Sequence, residues 1–229
     1  MSSVAAPREA PWRAGLQSAR ANLLPGLALQ VTALALVLAY YYHAPTRGLL
    51  SAFAAWRREV GLVSSIVSTG FFGGVIPVLV LRLRPATRAR YSGRQGIAII
   101  AFWAYKGFEV DLFYRLLAHF VGAGHDFATV ATKTVIDQFF YSPLFAVPAT
   151  ALFFEWVAIR FEWLALRDDV RAGSWYRRRI LPVIVSNLGI WLPAVCIIYS
   201  LPTPLQLPLQ NLVLCFFTLI IAHLTRRTV

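Results

Sequence analysis

Four charged residues stand close together inside a long apolar stretch, and they are the strongest candidates for chemistry in this chain. Lys106 precedes Glu109 by three residues, and Asp111 precedes Arg115 by four. Both spacings place opposite charges on a shared face of a helix. Because a charge in the middle of a bilayer costs at least about 2.5–3.5 kcal/mol, we expect these side chains to line a bundle interior or a hydrated cavity.

Two structural roles are alternatives for the same charges. Each pair can neutralise itself and merely orient neighbouring helices. If the helix is instead offset along the membrane normal, Asp111 and Arg115 lie near the outer headgroups.

A second polar motif, Asp137-Gln138, opens the next apolar stretch, which also contains Pro143 and Pro148. Prolines in a membrane helix free backbone carbonyls that neighbouring side chains or water must satisfy. Asp137 and Arg115 both fall toward the outer ends of their predicted helices. We therefore expect an ion pair between them.

The elements that must position these residues are apolar stretches of about 20 residues, the length that a helix needs to cross a bilayer. Hydrophobic residues make up 58% of the 229 residues and charged residues 14%, against about 45–50% and 25% in soluble domains. We predict an all-α, polytopic transmembrane helix bundle with about six apolar helices that form four to six spans. The stretches are residues 23–42, 61–83, 95–122, 138–159, 180–201 and 207–224.

The domain organisation follows from these stretches, which leave little chain between them. Residues 23–225 are predicted to form a single transmembrane domain. A short N-terminal tail (1–22) and a basic C-terminal tail (226–229) flank it.

The basic residues follow a one-sided pattern. The net charge is +12, and 16 of the 22 lysine and arginine residues fall in tails and loops that would share one face of the membrane. This asymmetry predicts that both termini lie on the cytosolic or matrix side. Anionic lipid headgroups are the expected partners of these loops, so the charge does not require a nucleic acid.

Small and amide residues predict where helices pack. Gly70 and Gly74 form a small-xxx-small spacing that lets two helices approach closely. We expect this contact inside one bundle, with a seam between two copies in a homo-oligomer as the alternative. Asn187 and Asn211, in the last two stretches with Trp191 and Pro193, are expected to hydrogen-bond between helices; contact with a substrate is the alternative.

Metal, cofactor and enzyme chemistry find little support. The four histidines show no ligand spacing, and Cys196 and Cys215 both fall in apolar stretches, so we predict neither a metal site nor a cofactor. Asp168-Asp169 is the acidic cluster, and it lacks a further carboxylate to hold magnesium on a diphosphate. We therefore predict that the chain is not an enzyme, and an intramembrane lipid enzyme is the least favoured alternative.

Several motifs together resemble the Mpv17/PMP22 family of small multi-span membrane proteins, over about residues 65–217. The strongest match is YRLL at residues 114–117, beginning with Tyr114, followed at the family's spacing by the Asp-Gln pair at 137–138. Lys133 and Pro143 flank that pair as in the family core. The residues that match its C-terminal signature are Asn187, Trp191, Pro193 and Asn211. At Gly74, Phe108 and Asp111 the chain departs from the family, which usually has an acidic residue, proline and histidine there.

The resemblance implies a pore or channel for small solutes. Relatives lie in inner mitochondrial or peroxisomal membranes, and bacterial relatives exist. Because arginine greatly outnumbers lysine here, a bacterial cytoplasmic membrane is favoured, with the mitochondrial inner membrane as the alternative.

The leading functional prediction is a poorly selective channel or transporter for small solutes. Its polar path would run between the third and fourth predicted helices and use Lys106, Glu109, Asp111, Arg115, Asp137 and Gln138. A non-conducting scaffold that organises lipids or partner proteins is the alternative.

Overall fold

A computed structural model describes residues 16–17, 20, 23–83, 85–88 and 92–224, and the predicted tails lie almost entirely outside them. Within these residues the chain is helical and contains no strand, so the all-α prediction is confirmed. The longer helices, in chain order, are α1 (Leu23–Tyr42), α2 (Ala44–Val60), α3 (Leu62–Leu83), α4 (Gly93–Phe120), α5 (Phe127–Ala158), α6 (Trp163–Arg171), α7 (Tyr176–Tyr199) and α8 (Thr203–Leu224).

Local capping signals fix the starts of α4 and α5. Ser92 and Gln95 form a capping box, in which each side chain accepts a hydrogen bond from the backbone N–H of the other. Asp126 caps α5 by accepting a hydrogen bond from the backbone N–H of Thr129 at 3.0 Å. Hydrogen bonds from the hydroxyl and the backbone of Thr129 lower the pKa of the Asp126 carboxyl below its ordinary value.

Helix α2 falls outside the six predicted stretches. It meets α1 at His43 with a bend of 98°, and Pro45 stands in its first turn, where a missing N–H leaves no partner unsatisfied. Gly61, with φ of +65°, separates it from α3. On α2, Ala54 and Arg57 are buried three residues apart, which marks the face turned toward the bundle.

The predicted start of the fourth stretch is wrong. Helix α5 begins at Phe127 rather than at residue 138, because Asp126 supplies the cap. Asp137 therefore lies ten residues inside α5 and not at its outer end. Helix α8 also begins earlier than predicted, with Pro204 in its first turn and Pro208 in its interior.

Several helices have the length and composition of membrane spans. Helices α3, α5 and α7 are each long and apolar enough to cross a bilayer, and α1 with α2 meets the same criterion as a bent pair. Helix α4 has 28 residues, with charged residues in its second half. Outward-facing side chains on α3, such as Val63, Val67 and Phe71, are apolar. These helices indicate that the chain is membrane-associated.

Helix α8 lies at the centre of the bundle, where it contacts α1, α2, α3, α4 and α7. Leu205, Leu207, Leu209 and Val213 on α8 are buried in the main core. That core also takes in residues from α1, α4 and α7, so α8 holds these helices together.

Helices α3 and α4 approach each other closely through glycines. A Cβ added at Gly74 would lie 2.8 Å from the Cα of Ile100, and one at Gly70 would lie 3.2 Å from the Cβ of Ala104. From the other side, a Cβ at Gly107 would collide with the backbone carbonyl of Ser65. Gly70 and Gly74 of α3 thus pack against α4 of the same chain, as expected for a contact inside one bundle.

Candidate functional site

The first charged cluster joins the middle of α4 to α5. The Lys106 ammonium donates to Oε1 of Glu109 at 2.5 Å, and the Lys106 side chain is only 5% exposed. The hydroxyl of Tyr141 on α5 donates to the same oxygen at 2.5 Å. The three-residue pair predicted from the sequence is formed, and a tyrosine from the next helix completes it.

The second cluster holds Asp111 between two arginines. Arg57 Nη2 lies 3.2 Å from Oδ1 of Asp111, and Arg115 Nε lies 2.8 Å from Oδ2. Arg57 also donates to the hydroxyl of Ser65 at 2.6 Å and to the backbone carbonyl of Pro204. Since these groups belong to α2, α3, α4 and α8, the cluster ties four helices together.

Arg57 is the polar residue of this cluster that sequence reasoning missed. Its side chain is 4% exposed, although the sequence places it in a connecting segment between two spans. A signal was present, because Leu50, Ala54 and Arg57 follow at spacings of four and three residues and share one helix face. Recognising it requires treating residues 44–60 as a helix.

The third cluster surrounds Asp137, inside α5. Its Oδ2 accepts a hydrogen bond from the Tyr199 hydroxyl at 2.6 Å, and its Oδ1 accepts one from Gln138 Nε2 at 3.1 Å. Asp137 is buried and has no ion-pair partner among the described residues. The expected Arg115–Asp137 pair is therefore wrong, because Arg115 instead pairs with Asp111 one turn before it on α4.

A cavity of about 360 Å³ opens between α4, α5, α7 and α8. Its wall is mostly apolar, and Lys106, Asp137 and Gln138 line it. The lining residues on α5 extend from Asp137 to Phe154, a distance of about 25 Å at about 1.5 Å per residue. Five aromatic side chains contribute to the wall, namely Trp103, Tyr114, Tyr141, Phe154 and Trp191.

The six residues predicted for a polar path divide into two groups. Lys106, Asp137 and Gln138 line the cavity, and Glu109 is bonded directly to Lys106. Asp111 and Arg115 do not line it, since they belong to the cluster around Arg57.

Several residues that the sequence analysis singled out outside the polar path also border the cavity. Tyr114, Asn187 and Trp191 line it, and the Tyr114 hydroxyl donates to Gln210 on α8. Asn211, which does not line the cavity, accepts a hydrogen bond from Thr69 at 3.0 Å, linking α8 to α3.

Pro143 and Pro193, which the sequence analysis singled out, have different surroundings. Pro143 lies within Asp137–Ala146, where α5 adopts the wider π-helical hydrogen bonding that is often found at functional sites. Its carbonyl accepts a hydrogen bond from the Tyr176 hydroxyl at 2.9 Å. Pro193 lies in the interior of α7 and faces outward.

The remaining polar candidates lie away from the cavity. Asp168 pairs with Arg167, and Asp169 pairs with Arg178, at the exposed end of the bundle that carries the basic loops. In the part of the chain that the structure describes, no group of three or more His, Cys, Asp or Glu side chains is placed to hold a metal ion.

Comparison with known proteins gives no relative for this arrangement. No family model matches the chain, and neither a curated protein nor a solved structure is significantly similar to it. What the protein does must therefore be inferred from the geometry of the cavity and its charges.

Proposed function

We propose that this chain is an integral membrane protein that conducts or transports small solutes along the cavity between α4, α5, α7 and α8. The cavity itself carries the proposal. The α5 residues that line it, from Asp137 to Phe154, extend over about 25 Å of helix, against the roughly 30 Å thickness of a hydrocarbon core. Buried polar groups that line a cavity inside a membrane bundle commonly mark the pathway of a solute or ion.

The charges along the cavity support weak selectivity. Lys106 and Asp137 both line it and carry opposite signs, and Glu109 neutralises Lys106 from behind. Pores that select ions through charged side chains present a ring of one sign, whereas this wall presents both. The path is therefore a general one for small solutes, as in the Mpv17/PMP22-type proteins that the motifs resemble.

The proposed topology has six spans, formed by α1, α3, α4, α5, α7 and α8. Helices α2 and α6 then lie along opposite membrane faces. The basic loops between α3 and α4 and between α5 and α7 share one side, which the positive-inside rule assigns to the cytosol of a bacterium or to the mitochondrial matrix.

Proteoliposomes provide the direct test. Vesicles that contain the purified protein should conduct small solutes, and Glu109→Gln should change conductance or ion preference because it leaves the Lys106 charge uncompensated. The expected readout is planar-bilayer current together with the reversal potential under a salt gradient. Vesicles that stay tight with wild-type protein would remove the proposal.

A matched pair of substitutions separates the cavity from the rest of the bundle. Ala146→Phe places a ring in the cavity wall, whereas Ala101→Phe adds the same ring to the outer surface of α4. We expect the first variant to reduce solute flux severalfold and the second to leave it unchanged. Equal flux through both variants would place the pathway elsewhere.

A further inference from the structure

Among the residues that the structure describes, Asp137 is the acidic side chain that lines the cavity, and none of them supplies a counter-charge to it. Only 6% of the residue is exposed. The two groups that bond its carboxylate, the Tyr199 hydroxyl and the Gln138 amide, are neutral donors. A buried carboxylate that is hydrogen-bonded but not ion-paired is costly in a membrane, and it marks a place where a ligand can supply the missing charge.

The nearby cations are engaged elsewhere. Lys106 lines the same cavity, but its ammonium is 2.5 Å from Glu109, which cancels its charge locally. Lys133 lies one turn before Asp137 on α5, but it does not line the cavity or form an ion pair with Asp137. Its ammonium instead lies 6.0 Å from the centre of the Tyr199 ring. Both described arginines close to this region, Arg57 and Arg115, are bound to Asp111.

The rest of the wall suits the apolar part of a cation. Trp103, Tyr141, Phe154 and Trp191 line the cavity together with Asp137. Aromatic rings attract cations through their quadrupoles, and such contacts are strongest where water is excluded. The volume of about 360 Å³ falls in the range of about 300–1,000 Å³ that is common for small-molecule sites.

We propose that this cavity binds a small organic ammonium ion, with its nitrogen against the Asp137 carboxylate and its apolar groups among the aromatic side chains. The inference rests on the proposed function, since it names a class of solute for the same cavity. A cation of this kind makes with Asp137 the ion pair that no described residue makes.

Binding of benzyltrimethylammonium to the full-length protein in detergent micelles tests the proposal. Quenching of the intrinsic tryptophan fluorescence, to which Trp103 and Trp191 in the cavity wall contribute, reports occupancy, with isothermal titration as a second readout. The matched ligand is neopentylbenzene, in which a carbon atom replaces the charged nitrogen at the same shape. We expect the cation to bind at least about tenfold more tightly than the neutral compound.

Two variants locate the charge responsible. Asp137→Asn should weaken binding of the cation by at least about tenfold and leave the neutral compound unaffected. Asp169→Asn removes the same charge from an exposed loop and should leave both affinities unchanged. Unchanged affinity in Asp137→Asn would overturn the assignment. If that variant does not fold, the affinities of the wild-type protein for the two ligands still test the proposal. Equal affinities, or no binding of the cation, would refute it.

The same preparation separates this inference from the proposed function. Proteoliposomes that conduct small neutral solutes without binding benzyltrimethylammonium would leave solute conduction standing and reject the ammonium site. If the vesicles stay tight but the protein binds the cation through Asp137, the ammonium site stands and solute conduction is rejected.

Discussion

Arg57 and Asp111 hold opposite charges where neither is exposed to water. Their side chains are 4% and 7% exposed, while the second partner of Asp111, Arg115, is 48% exposed. Losing one member of a buried pair is far more costly than losing an exposed one, because the remaining charge stays buried. The two arginines thus differ in their contribution to stability although both bind the same carboxylate.

Replacing Asp111 with Asn tests this difference at a single site. The guanidinium of Arg57 then remains buried without a counter-charge, and we expect the free energy of unfolding to fall by about 3–5 kcal/mol. Asp168→Asn is the control, because Asp168 pairs with Arg167 on the surface, and its loss should cost less than about 1 kcal/mol. Detergent-solubilised protein titrated with sodium dodecyl sulfate gives both values. Equal free energies of unfolding in the two variants would contradict a larger contribution of the buried pair to stability.

Side-chain pairs within one helix could be predicted from the sequence, and pairs between helices could not. Lys106–Glu109 and Asp111–Arg115 form because spacings of three and four residues bring side chains together on any helix. The partners from other helices, Arg57 and Tyr141, depend on how the helices pack. The expected Arg115–Asp137 pair is not formed for that reason. It rests on the premise that the helix starts near residue 138, which places Asp137 at the helix end instead of ten residues inside α5.

At the scale of elements, the contact between α3 and α4 depends on the absence of side chains. Gly107 on α4 has the backbone of Ser65 and the Cβ of Thr69 against it, so even one methyl group forces the helices apart. The seam contains glycines from both helices, whereas the small-residue spacing visible in the sequence marks α3 alone. The sequence contains no distance information that would identify Gly107 as the facing residue.

Two glycine substitutions measure this contact. Gly107→Ala should lower the free energy of unfolding by about 1–3 kcal/mol, because the added methyl overpacks the seam. Gly48→Ala, on α2, meets open space and should raise stability by about 0.5–1 kcal/mol through reduced backbone entropy of the unfolded chain. Thermal melting in detergent compares the pair. A similar melting temperature for both variants would show that the seam accommodates the methyl group.

The elements that hydropathy detects are the ones whose apolar residues are continuous. Helices α3, α5 and α7 emerge directly from the sequence for this reason, with errors confined to their ends. Helix α2 mixes Arg47, Arg57, Arg58 and Glu59 with apolar residues, so an average over a window hides it. The π-helical part of α5 is equally hidden, because hydropathy reports composition and not the hydrogen-bond register of the backbone.

For the whole molecule, the distribution of charge makes a topological prediction. Single cysteines at Arg88 and Arg178, in a variant without Cys196 and Cys215, should react with a membrane-impermeant maleimide from the same side of sealed vesicles. A cysteine at His125, in the exposed turn between α4 and α5, should react from the opposite side. Labelling of Arg88 and Arg178 positions from opposite faces would exclude the proposed arrangement of spans.

The central place of α8 has a consequence for biosynthesis. Ribosomes deliver helices in chain order, so α8 is synthesised after α1 to α7. Until it arrives, Thr69 lacks Asn211, Tyr114 lacks Gln210, and Arg57 lacks the carbonyl of Pro204. We therefore expect a chain that stops before Thr203 to contain α1 to α7 without the hydrogen bonds and core contacts that α8 supplies, and so to remain loosely packed.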